Sequence, residues 1–223
     1  MGINYNPKIV TNGLVCYLDA ANPKSYPKSG TNCYDLSGNG NNGLLINNTS
    51  YEDYNSGRFS FSSPSWINVT GNATLNINTD ITLLAWIYKI SGTGMVISRF
   101  TRYGLFGNGR YWYWSASTNG WVDYYSSVSV PYNTWVQLGV SHTPGSSDAP
   151  LIYINAVSNI ATGITPTPTN SGSGNSLNIG EYSGYQPHSQ FNGKIGIIKI
   201  YNRVLSGSEI RQNFNATRGR YDV

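Results

Sequence analysis

Short apolar runs separated by turn residues recur along the whole chain, and no other feature limits the possible folds as strongly. The strongest run, Ile81 to Tyr88, is apolar at nearly every position and predicts a strand that is buried on both faces. Asn108-Gly109, between two aromatic runs, predicts a type I′ hairpin turn. Many short strands punctuated by Gly, Asn and Pro predict an all-β sandwich or barrel.

One short helix is predicted near the C-terminus. Ser206 and Glu209 have the spacing of a capping box, in which each side chain bonds the backbone N–H of the other residue. Leu205 and Ile210 are placed to form the hydrophobic staple that accompanies such a start, and Phe214 lies one turn after Ile210. The helix is expected to stop before Gly219.

The composition excludes several other architectures. Only 11% of the 223 residues are charged and 13% are aromatic, whereas disordered chains combine high net charge with few aromatics. The residues that dominate coiled coils and helical bundles are scarce. The length suits one domain and no linker divides the chain. We predict one domain over residues 12–223, preceded by an N-terminal arm over residues 1–11.

Charge and hydropathy restrict the possible partners. The net charge of +4 comes from scattered basic residues, and nucleic-acid binding is not expected because neutralising phosphates requires a basic stripe. No apolar run approaches the roughly 18 residues of a membrane span, so membrane insertion is not expected either. The first residues show neither the basic nor the apolar region of a secretory signal.

The two cysteines, Cys16 and Cys33, lack the spacing of a metal-ligand pair. In a chain without a recognisable secretory signal they are predicted to be two small buried thiols. One disulfide between them is the alternative.

Several segments together carry a resemblance to a known family. They comprise Gly13 to Ala20 with Asp35 to Gly43, the run Ile81 to Tyr88, and Phe191 to Ser206 followed by Glu209 to Asn215. In this combination the chain resembles the concanavalin A-like lectin/glucanase superfamily, in its laminin-G-like jelly-roll branch. The resemblance implies two large antiparallel sheets packed face to face as a jelly-roll sandwich.

The variant found here resembles a narrower group. With Ala20 to Tyr26 before the Asn-Gly segment and Gly219 to Tyr221 near the end, the chain looks like stand-alone laminin-G-like proteins of tailed bacteriophages. That resemblance implies a head decoration, neck or tail-fibre component on the virion surface, made in the cytoplasm of the bacterial host. Its implied partners are other virion proteins and further copies of the chain in a homo-oligomer.

The superfamily includes glucanases, but the sequence offers no catalytic constellation. Glycoside hydrolysis needs two carboxylates facing each other across the sugar, and Glu52 and Asp53 are adjacent and point to opposite faces of a strand. The Glu-x-Asp-x-Glu pattern of glucanases is absent. His142 and His188 have no companion motif, and each is expected to be a solvated loop residue. We predict that the chain is not an enzyme.

A weak calcium site is a possible assignment for the loop after the first strand. In laminin-G-like relatives this loop contributes to a structural calcium site, and the matching residues are Asp35, Asn39 and Asn41. Calcium takes six to eight oxygen ligands, and a site with one carboxylate would be weak. The sequence also has Gly196 where many relatives have an acidic residue. The alternative is that Asp35 caps a turn through backbone hydrogen bonds.

A dense group of aromatic residues is the candidate ligand or partner surface. Four consecutive positions are aromatic, so two rings must point away from whichever face is buried. Such a surface suits a glycan, a neighbouring subunit or a virion contact, while the alternative is a sheet face covered by a loop of the same chain. The candidate residues are Tyr111, Trp112, Tyr113, Trp114, Trp121, Tyr124 and Tyr125.

The sequence therefore supports three functional hypotheses. The first is a non-enzymatic structural or adhesive protein of a tailed-phage virion with a lectin-like fold. The second is a carbohydrate-binding lectin module that acts in solution or on a cell surface. The third is a glycoside hydrolase, for which the residues give the least support.

Overall fold

The computed structural model describes residues 7–47, 49–53, 57–100, 102–115, 120–167, 176–182 and 190–223. Within these ranges the chain forms two antiparallel sheets packed face to face, with one α-helix near the C-terminus. The fold prediction of a two-sheet jelly-roll sandwich with one short C-terminal helix is confirmed. No helix in the described ranges is long and apolar enough to span a membrane.

The first sheet has eight strands in the order β14-β13-β12-β7-β17-β5-β4, with β1 also pairing with β17. Strands are numbered in chain order. Its members are β1 (Leu14–Asp19), β4 (Ser50–Glu52), β5 (Arg58–Phe61), β7 (Ile81–Ser91), β12 (Trp135–His142), β13 (Leu151–Ile154), β14 (Val157–Ile160) and β17 (Asn192–Tyr201).

The second sheet has nine strands in the order β15-β11-β10-β9-β8-β16-β6-β3-β2. Its members are β2 (Asn32–Cys33), β3 (Gly43–Ile46), β6 (Trp66–Val69), β8 (Met95–Arg99), β9 (Tyr103–Phe106), β10 (Arg110–Ser115), β11 (Gly120–Tyr125), β15 (Thr162–Thr167) and β16 (Leu177–Ile179).

Strand β7 lies near the centre of the first sheet and is buried on both faces, as its apolar sequence predicts. Leu83 and Ile87 face the interior between the sheets, where they join residues such as Leu105 of the second sheet. Leu84 and Trp86 face the other side, because side chains alternate along a strand. The helix and the C-terminal tail cover that outer face.

Helix α1 (Gly207–Asn215) begins with the predicted capping box. The Ser206 hydroxyl accepts from the Glu209 N–H, and the Glu209 carboxylate accepts from the Ser206 N–H. Leu205 and Ile210 are both buried in one cluster with Phe214, which agrees with the staple and with the predicted apolar face. The helix thus closes over the outer face of the first sheet.

The predicted arm over residues 1–11 lies partly outside the described residues, which begin at residue 7. The described part contacts both α1 and β17. The Val10 N–H donates to Asn213 Oδ1 of α1 at 3.3 Å, and the Tyr201 hydroxyl of β17 donates to the Val10 carbonyl at 2.9 Å. Val10 is itself buried. The boundary at residue 12 stays a prediction.

The type I′ turn predicted at Asn108-Gly109 is wrong. Only Gly109 has a positive φ, of 83°, whereas a type I′ turn requires positive φ at both central residues. The connection between β9 and β10 is one residue longer, with the Gly109 N–H donating to the Phe106 carbonyl. Three-residue hairpin loops place a left-handed residue at this position, which glycine adopts without strain.

Candidate functional site

The seven predicted aromatic residues all lie on the hairpin formed by β10 and β11. In the antiparallel register Tyr111 is opposite Tyr124 and Trp114 is opposite Trp121, so each pair shares a face. Alternation along the strands divides the group into an inner set, which faces the other sheet, and an outer set. The inner set contains Tyr111, Tyr113 and Tyr124, and the outer set contains Trp112, Trp114, Trp121 and Tyr125.

The inner tyrosines surround His142, the last residue of β12 in the opposite sheet. Their ring centroids lie 5.4 Å (Tyr111), 4.7 Å (Tyr113) and 5.7 Å (Tyr124) from the imidazole centroid. The Tyr111 hydroxyl is 3.2 Å from His142 Nδ1 and hydrogen-bonds to it. The prediction that His142 is a solvated loop residue is wrong, since it ends strand β12, is 3% exposed and hydrogen-bonds a tyrosine of the opposite sheet. His188 lies outside the described residues.

Burial controls the charge state of this cluster. It lowers the pKa of His142 to about 4, against which the charge of Asp80 acts weakly. The imidazole is therefore neutral at pH 7 and can hydrogen-bond Tyr111 without placing a charge between the sheets. Burial also raises the pKa of the Tyr111 and Tyr113 phenols, which stay protonated and available as donors.

The low pKa of His142 predicts a specific loss of stability in mild acid. Between pH 6.5 and pH 4 the unfolded chain binds a proton at His142 that the folded chain does not, so the free energy of unfolding falls by about 3 kcal/mol. Urea denaturation across this range should show the fall in the wild type and a flatter profile in His142→Phe.

The hydrogen bond from Arg203 lowers the pKa of Glu209 to about 2. Its contribution to the free energy of unfolding is therefore lost only below pH 4.5, and this later loss should be the same in the wild type and in His142→Phe. An unchanged slope between pH 6.5 and pH 4 in His142→Phe would exclude His142 as the source.

A cavity of about 360 Å³ opens beside this cluster, where β7 begins and β12 ends. Three of the predicted aromatic residues line it, and sequence reasoning missed the rest. The lining residues are Ile77, Asn78, Ile81, Arg102, Tyr103, Tyr111, Tyr113, Trp114, Pro144 and Gly145. This volume is within the range of small-molecule sites, which combine apolar walls with a few placed polar groups.

Hydrogen bonds fix the walls of this cavity. The buried Tyr103 hydroxyl donates to the Leu75 carbonyl at 3.2 Å, and the backbone N–H of Trp114 donates to the backbone carbonyl of Arg102 at 2.9 Å. Tyr113 is only half-buried and stacks on Tyr124, with ring centroids 6.3 Å apart and planes 10° apart. Tyr113 thus lies at the rim of the cavity, half-buried, with its ring held from behind.

The outer aromatic set is a packed cluster. Trp112 and Trp121 meet edge to face with centroids 4.0 Å apart, and Phe100 and Tyr182 pack against them. Trp112 is 4% and Trp121 8% exposed. The prediction that all seven aromatic residues form a contact surface is therefore wrong for Trp112, Trp121 and Tyr111. Other side chains of the same chain cover these three residues.

The remaining outer residues sit at the margin of that cluster. Trp114 is half-buried and contacts Trp121 at a centroid distance of 5.0 Å. Tyr125 is half-buried beside Arg110, whose Nε donates to Asp123 Oδ1 at 2.8 Å across the two strands. This ion pair fixes the hairpin.

The loop with Asp35, Asn39 and Asn41 is held together by hydrogen bonds within the chain. Asp35 Oδ1 accepts from the Tyr17 and Ser37 N–H groups, and Oδ2 accepts from the Ser37 hydroxyl and the Asn41 N–H. Both carboxylate oxygens are thus occupied by protein donors, as the alternative of a capped turn predicts. The Asn39 and Asn41 amides donate to the Leu14 and Val15 carbonyls respectively.

In the part of the chain that the structure describes, no group of three or more His, Cys, Asp or Glu side chains could hold a metal ion. Cys16 and Cys33 are free and buried, and their Sγ atoms contact the Asn41 carbonyl and the Ser25 hydroxyl. The calcium assignment stays a sequence prediction without support from this geometry.

One family of known proteins matches this chain over most of its length. The match is to the Laminin_G_3 family model, described as the concanavalin A-like lectin/glucanases superfamily, and it covers residues 61–211. Among curated proteins no match is found.

Three solved structures illustrate the likeness. The binding domain of Paraclostridial Mosquitocidal Protein 1 is 17% identical with a TM-score of 0.65, over 92% of this chain and 52% of that one. Domain 4 of AbnA, an extracellular arabinanase from Geobacillus stearothermophilus, in complex with arabinotriose, is 19% identical with a TM-score of 0.62, over 90% and 97%. Botulinum neurotoxin type C is 15% identical with a TM-score of 0.60, over 93% and 52%.

These identities show a shared fold. The chain spans about half the length of the mosquitocidal and neurotoxin structures, whereas it spans nearly all of the arabinanase domain.

Proposed function

This chain belongs to the concanavalin A-like lectin/glucanases superfamily, and from that premise we propose that it binds carbohydrate without transforming it, holding a sugar unit in the cavity between Tyr113 and Arg102. The observation that carries the proposal is the cavity itself. It is a site of about 360 Å³ whose lining residues include tyrosines, a tryptophan, an asparagine and an arginine. A fold alone would not carry it, because one fold serves many functions.

The lining residues have the chemistry that a sugar needs. A sugar ring has an apolar face that packs against an aromatic ring, and hydroxyl groups that pair with polar side chains. Tyr113 supplies an accessible ring, and Asn78 and Arg102 supply hydrogen-bonding groups. Tyr124 and His142 hold Tyr113 from behind, which reduces the ordering cost of binding.

Two of the structural neighbours are described as interacting with carbohydrate. The arabinanase domain was determined in complex with arabinotriose, and uptake of botulinum neurotoxin type C by cells depends on interaction with two ganglioside molecules. These properties belong to those proteins. They support the choice of saccharides as the ligand class to test here.

Substitution at Tyr113 tests the proposal. A glycan array identifies ligands, and calorimetry then compares the wild type with Tyr113→Ala and Tyr113→Phe. We expect Tyr113→Ala to weaken binding at least tenfold through loss of the ring, and Tyr113→Phe to weaken it about two- to tenfold through loss of one hydrogen bond.

Tyr132→Ala is the matched control, because Tyr132 is 52% exposed and does not line the cavity. Circular dichroism checks that each variant folds. No saturable binding on the array, or equal affinities for Tyr113→Ala and Tyr132→Ala, would contradict the proposal.

A finer proposal concerns where the domain acts. We propose that it is a non-enzymatic component displayed on the surface of a tailed-phage particle, as the resemblance of Ala20 to Tyr26 and Gly219 to Tyr221 implies. Edge strand β14 carries Val157 and Ile160, which are 61% and 70% exposed and give other virion proteins or further copies an apolar contact. Mass spectrometry of density-purified particles tests this, and absence of the chain from them would contradict it.

A further inference from the structure

We propose that two copies of this chain associate through the free edge of strand β14, so that the first sheet continues from one copy into the other. The inference rests on the contact role proposed for β14 and names its partner, and it does not depend on carbohydrate binding. Three observations carry it: the lack of protection at this edge, the exposure of its side chains, and a groove beside it.

Five strands of the described chain, β1, β2, β4, β14 and β15, pair with a neighbour on one side only. The free side of an edge strand leaves backbone N–H and C=O groups unpaired, and proteins protect it with charges, proline, bulges, short strands or a covering loop. Strand β2 has two residues, and Glu52 of β4 forms ion pairs with two basic residues. The following loop covers β1, because the Tyr17 N–H donates to Asp35 and the Tyr17 carbonyl accepts from Leu36. Strand β15 contains Pro166 and pairs with β11 through a register shift.

Strand β14 has none of these protections. Its sequence, Val-Ser-Asn-Ile, contains no charged residue and no proline, and it pairs with β13 without a register shift. Val157 and Ile160 are the two most exposed large apolar side chains of the described chain, at 61% and 70%. An apolar edge without protection is a template for pairing with another strand.

A groove of about 820 Å³ lies between the β13–β14 hairpin and helix α1. Tyr153, Ala156 and Ser158 line its sheet side, and Gln212 lines its helix side. Tyr153 and Ala156 belong to the buried cluster beneath α1, so the groove lies on the face of the sheet that the helix covers. Gln212 Nε2 donates to the Lys8 carbonyl at 2.7 Å, which holds the helix wall in place.

Alternation along β14 directs Ile160 to the same face as the groove. In the register with β13, Ile160 lies opposite Leu151. Ser158 lies opposite Tyr153, and residues opposite each other in a sheet share a face. Leu151 and Tyr153 both line the groove, whereas Ile160 does not. The Ile160 side chain therefore projects beside the groove of its own copy without filling it.

This edge is complementary to itself. Two antiparallel copies of β14 are related by a two-fold axis perpendicular to the sheet, and residues opposite one another again share a face. With the axis at Asn159, Ile160 of each copy lies opposite Ser158 of the partner subunit. With the axis at Ser158, it lies opposite Ala156 of the partner subunit. Both of these residues line the groove, so in either register two isoleucines are directed at two grooves.

The self-complementarity is the reason for naming a second copy as the partner. A two-fold interface uses the same patch on both subunits, so the patch must carry both a protruding group and the depression that receives it. Ile160 and the groove meet this condition on one hairpin. The net charge of +4 on each copy opposes the contact only weakly, because β14 has no charged residue and salt screens more distant charges.

Sedimentation equilibrium of the full chain over a range of micromolar concentrations tests the inference. We expect a monomer–dimer equilibrium in the wild type. Ile160→Lys should weaken dimerisation at least a hundredfold, because symmetry removes two isoleucine contacts together. Ile90→Lys is the matched control, since Ile90 is a 43% exposed isoleucine on β7, three strands away from β14. Its dimerisation should equal that of the wild type.

Cysteine cross-linking locates the axis without relying on substitution of the isoleucine. Cys16 and Cys33 are buried, so mild oxidation acts on an introduced exposed thiol. We expect a disulfide-linked dimer from Asn159→Cys or from Ser158→Cys, whichever residue lies at the axis. Tyr132→Cys is the control, because Tyr132 is exposed and lies outside β14, and it should stay unlinked.

The outcomes separate this inference from carbohydrate binding. A monomeric wild type would assign the edge to a different protein and overturn the inference, as would equal dimerisation in Ile160→Lys or no cross-linking in both cysteine variants. Ile160→Lys should keep the glycan affinity of the wild type, because β14 does not line the cavity beside Tyr113. A monomer that binds glycan contradicts only the pairing of copies, and a dimer that binds none contradicts only the proposed function.

Discussion

The Trp86→Ala variant is expected to lose about 3–5 kcal/mol of the free energy of unfolding, a loss typical of large buried aromatic residues. Trp86 is 1% exposed at the centre of the outer face of the first sheet. It stacks on Tyr221 and Phe214, with ring centroids 4.3 and 5.6 Å away. Its Nε1 donates to the Thr217 hydroxyl at 2.8 Å. Alanine removes all three contacts and leaves a cavity beneath the helix.

Urea denaturation followed by circular dichroism measures this loss. Trp86→Phe is the graded control, because it keeps a ring against Tyr221 and loses only the hydrogen bond and part of the contact area. Thr217→Val isolates the hydrogen bond and should cost about 0.5–1.5 kcal/mol. A loss below 1 kcal/mol for Trp86→Ala would show that the C-terminal segment does not depend on this residue.

The second large effect is expected at Asp19, which is 1% exposed at the end of β1. Its carboxylate pairs with the Arg220 guanidinium through both Nη atoms and accepts from the Tyr17 hydroxyl at 2.8 Å. Burial also lowers the pKa of the neighbouring Lys199 to about 7, and the charge of Asp19 opposes that shift. Removing one partner of a buried ion pair costs about 3–5 kcal/mol, so Asp19→Asn should lose that amount at pH 7.

Asp53→Asn is the matched control for Asp19→Asn. Asp53 pairs with Lys28 at the surface, where both side chains are more than half exposed, and its removal should leave the urea midpoint unchanged. Arg220→Met with Asp19→Asn completes a double-mutant cycle. If Asp19→Asn and Asp53→Asn have the same midpoint, the assigned role of the buried pair is wrong.

Local sequence signals predicted the elements whose causes are local. The apolar run of β7 and the capping box of α1 each depend on residues a few positions apart, and the structure contains both. The alternation of Tyr111 to Trp114 also predicted that the four rings divide between two faces. Which rings remain accessible depends on Phe100 and Tyr182, which lie after the ends of β8 and β16. The alternation within β10 carries no information about residues from other parts of the chain.

The cavity and its histidine could not be predicted for the same reason. His142 ends β12, and its contacts with Tyr111 and Tyr113 arise because the second sheet folds over the first. Arg102 and Asn78 reach the cavity from loops that are distant in sequence. Alternation along β9 did offer one signal for this region. Tyr103 is two residues from Leu105, so both side chains point to the interior between the sheets.

Gly196 shows how tertiary packing restricts a position whose residue type the local sequence does not explain. A Cβ atom at this position would lie 2.2 Å from the Tyr221 hydroxyl. Tyr221 instead fills the space against Trp86. The Tyr221 ring therefore occupies the space that a side chain at position 196 would need.

Fluorine NMR of protein containing 5-fluorotryptophan tests the site of carbohydrate binding most directly. The chain has six tryptophans, and Trp114 is the one among the residues lining the cavity. Individual Trp→Phe substitutions assign the signals, and the best glycan from the array is then titrated. We predict a saturable shift of the Trp114 signal, with the signals of Trp66, Trp86 and Trp135 unchanged. A shift of other tryptophan signals with Trp114 unchanged, or no shift at saturating glycan, would contradict the account.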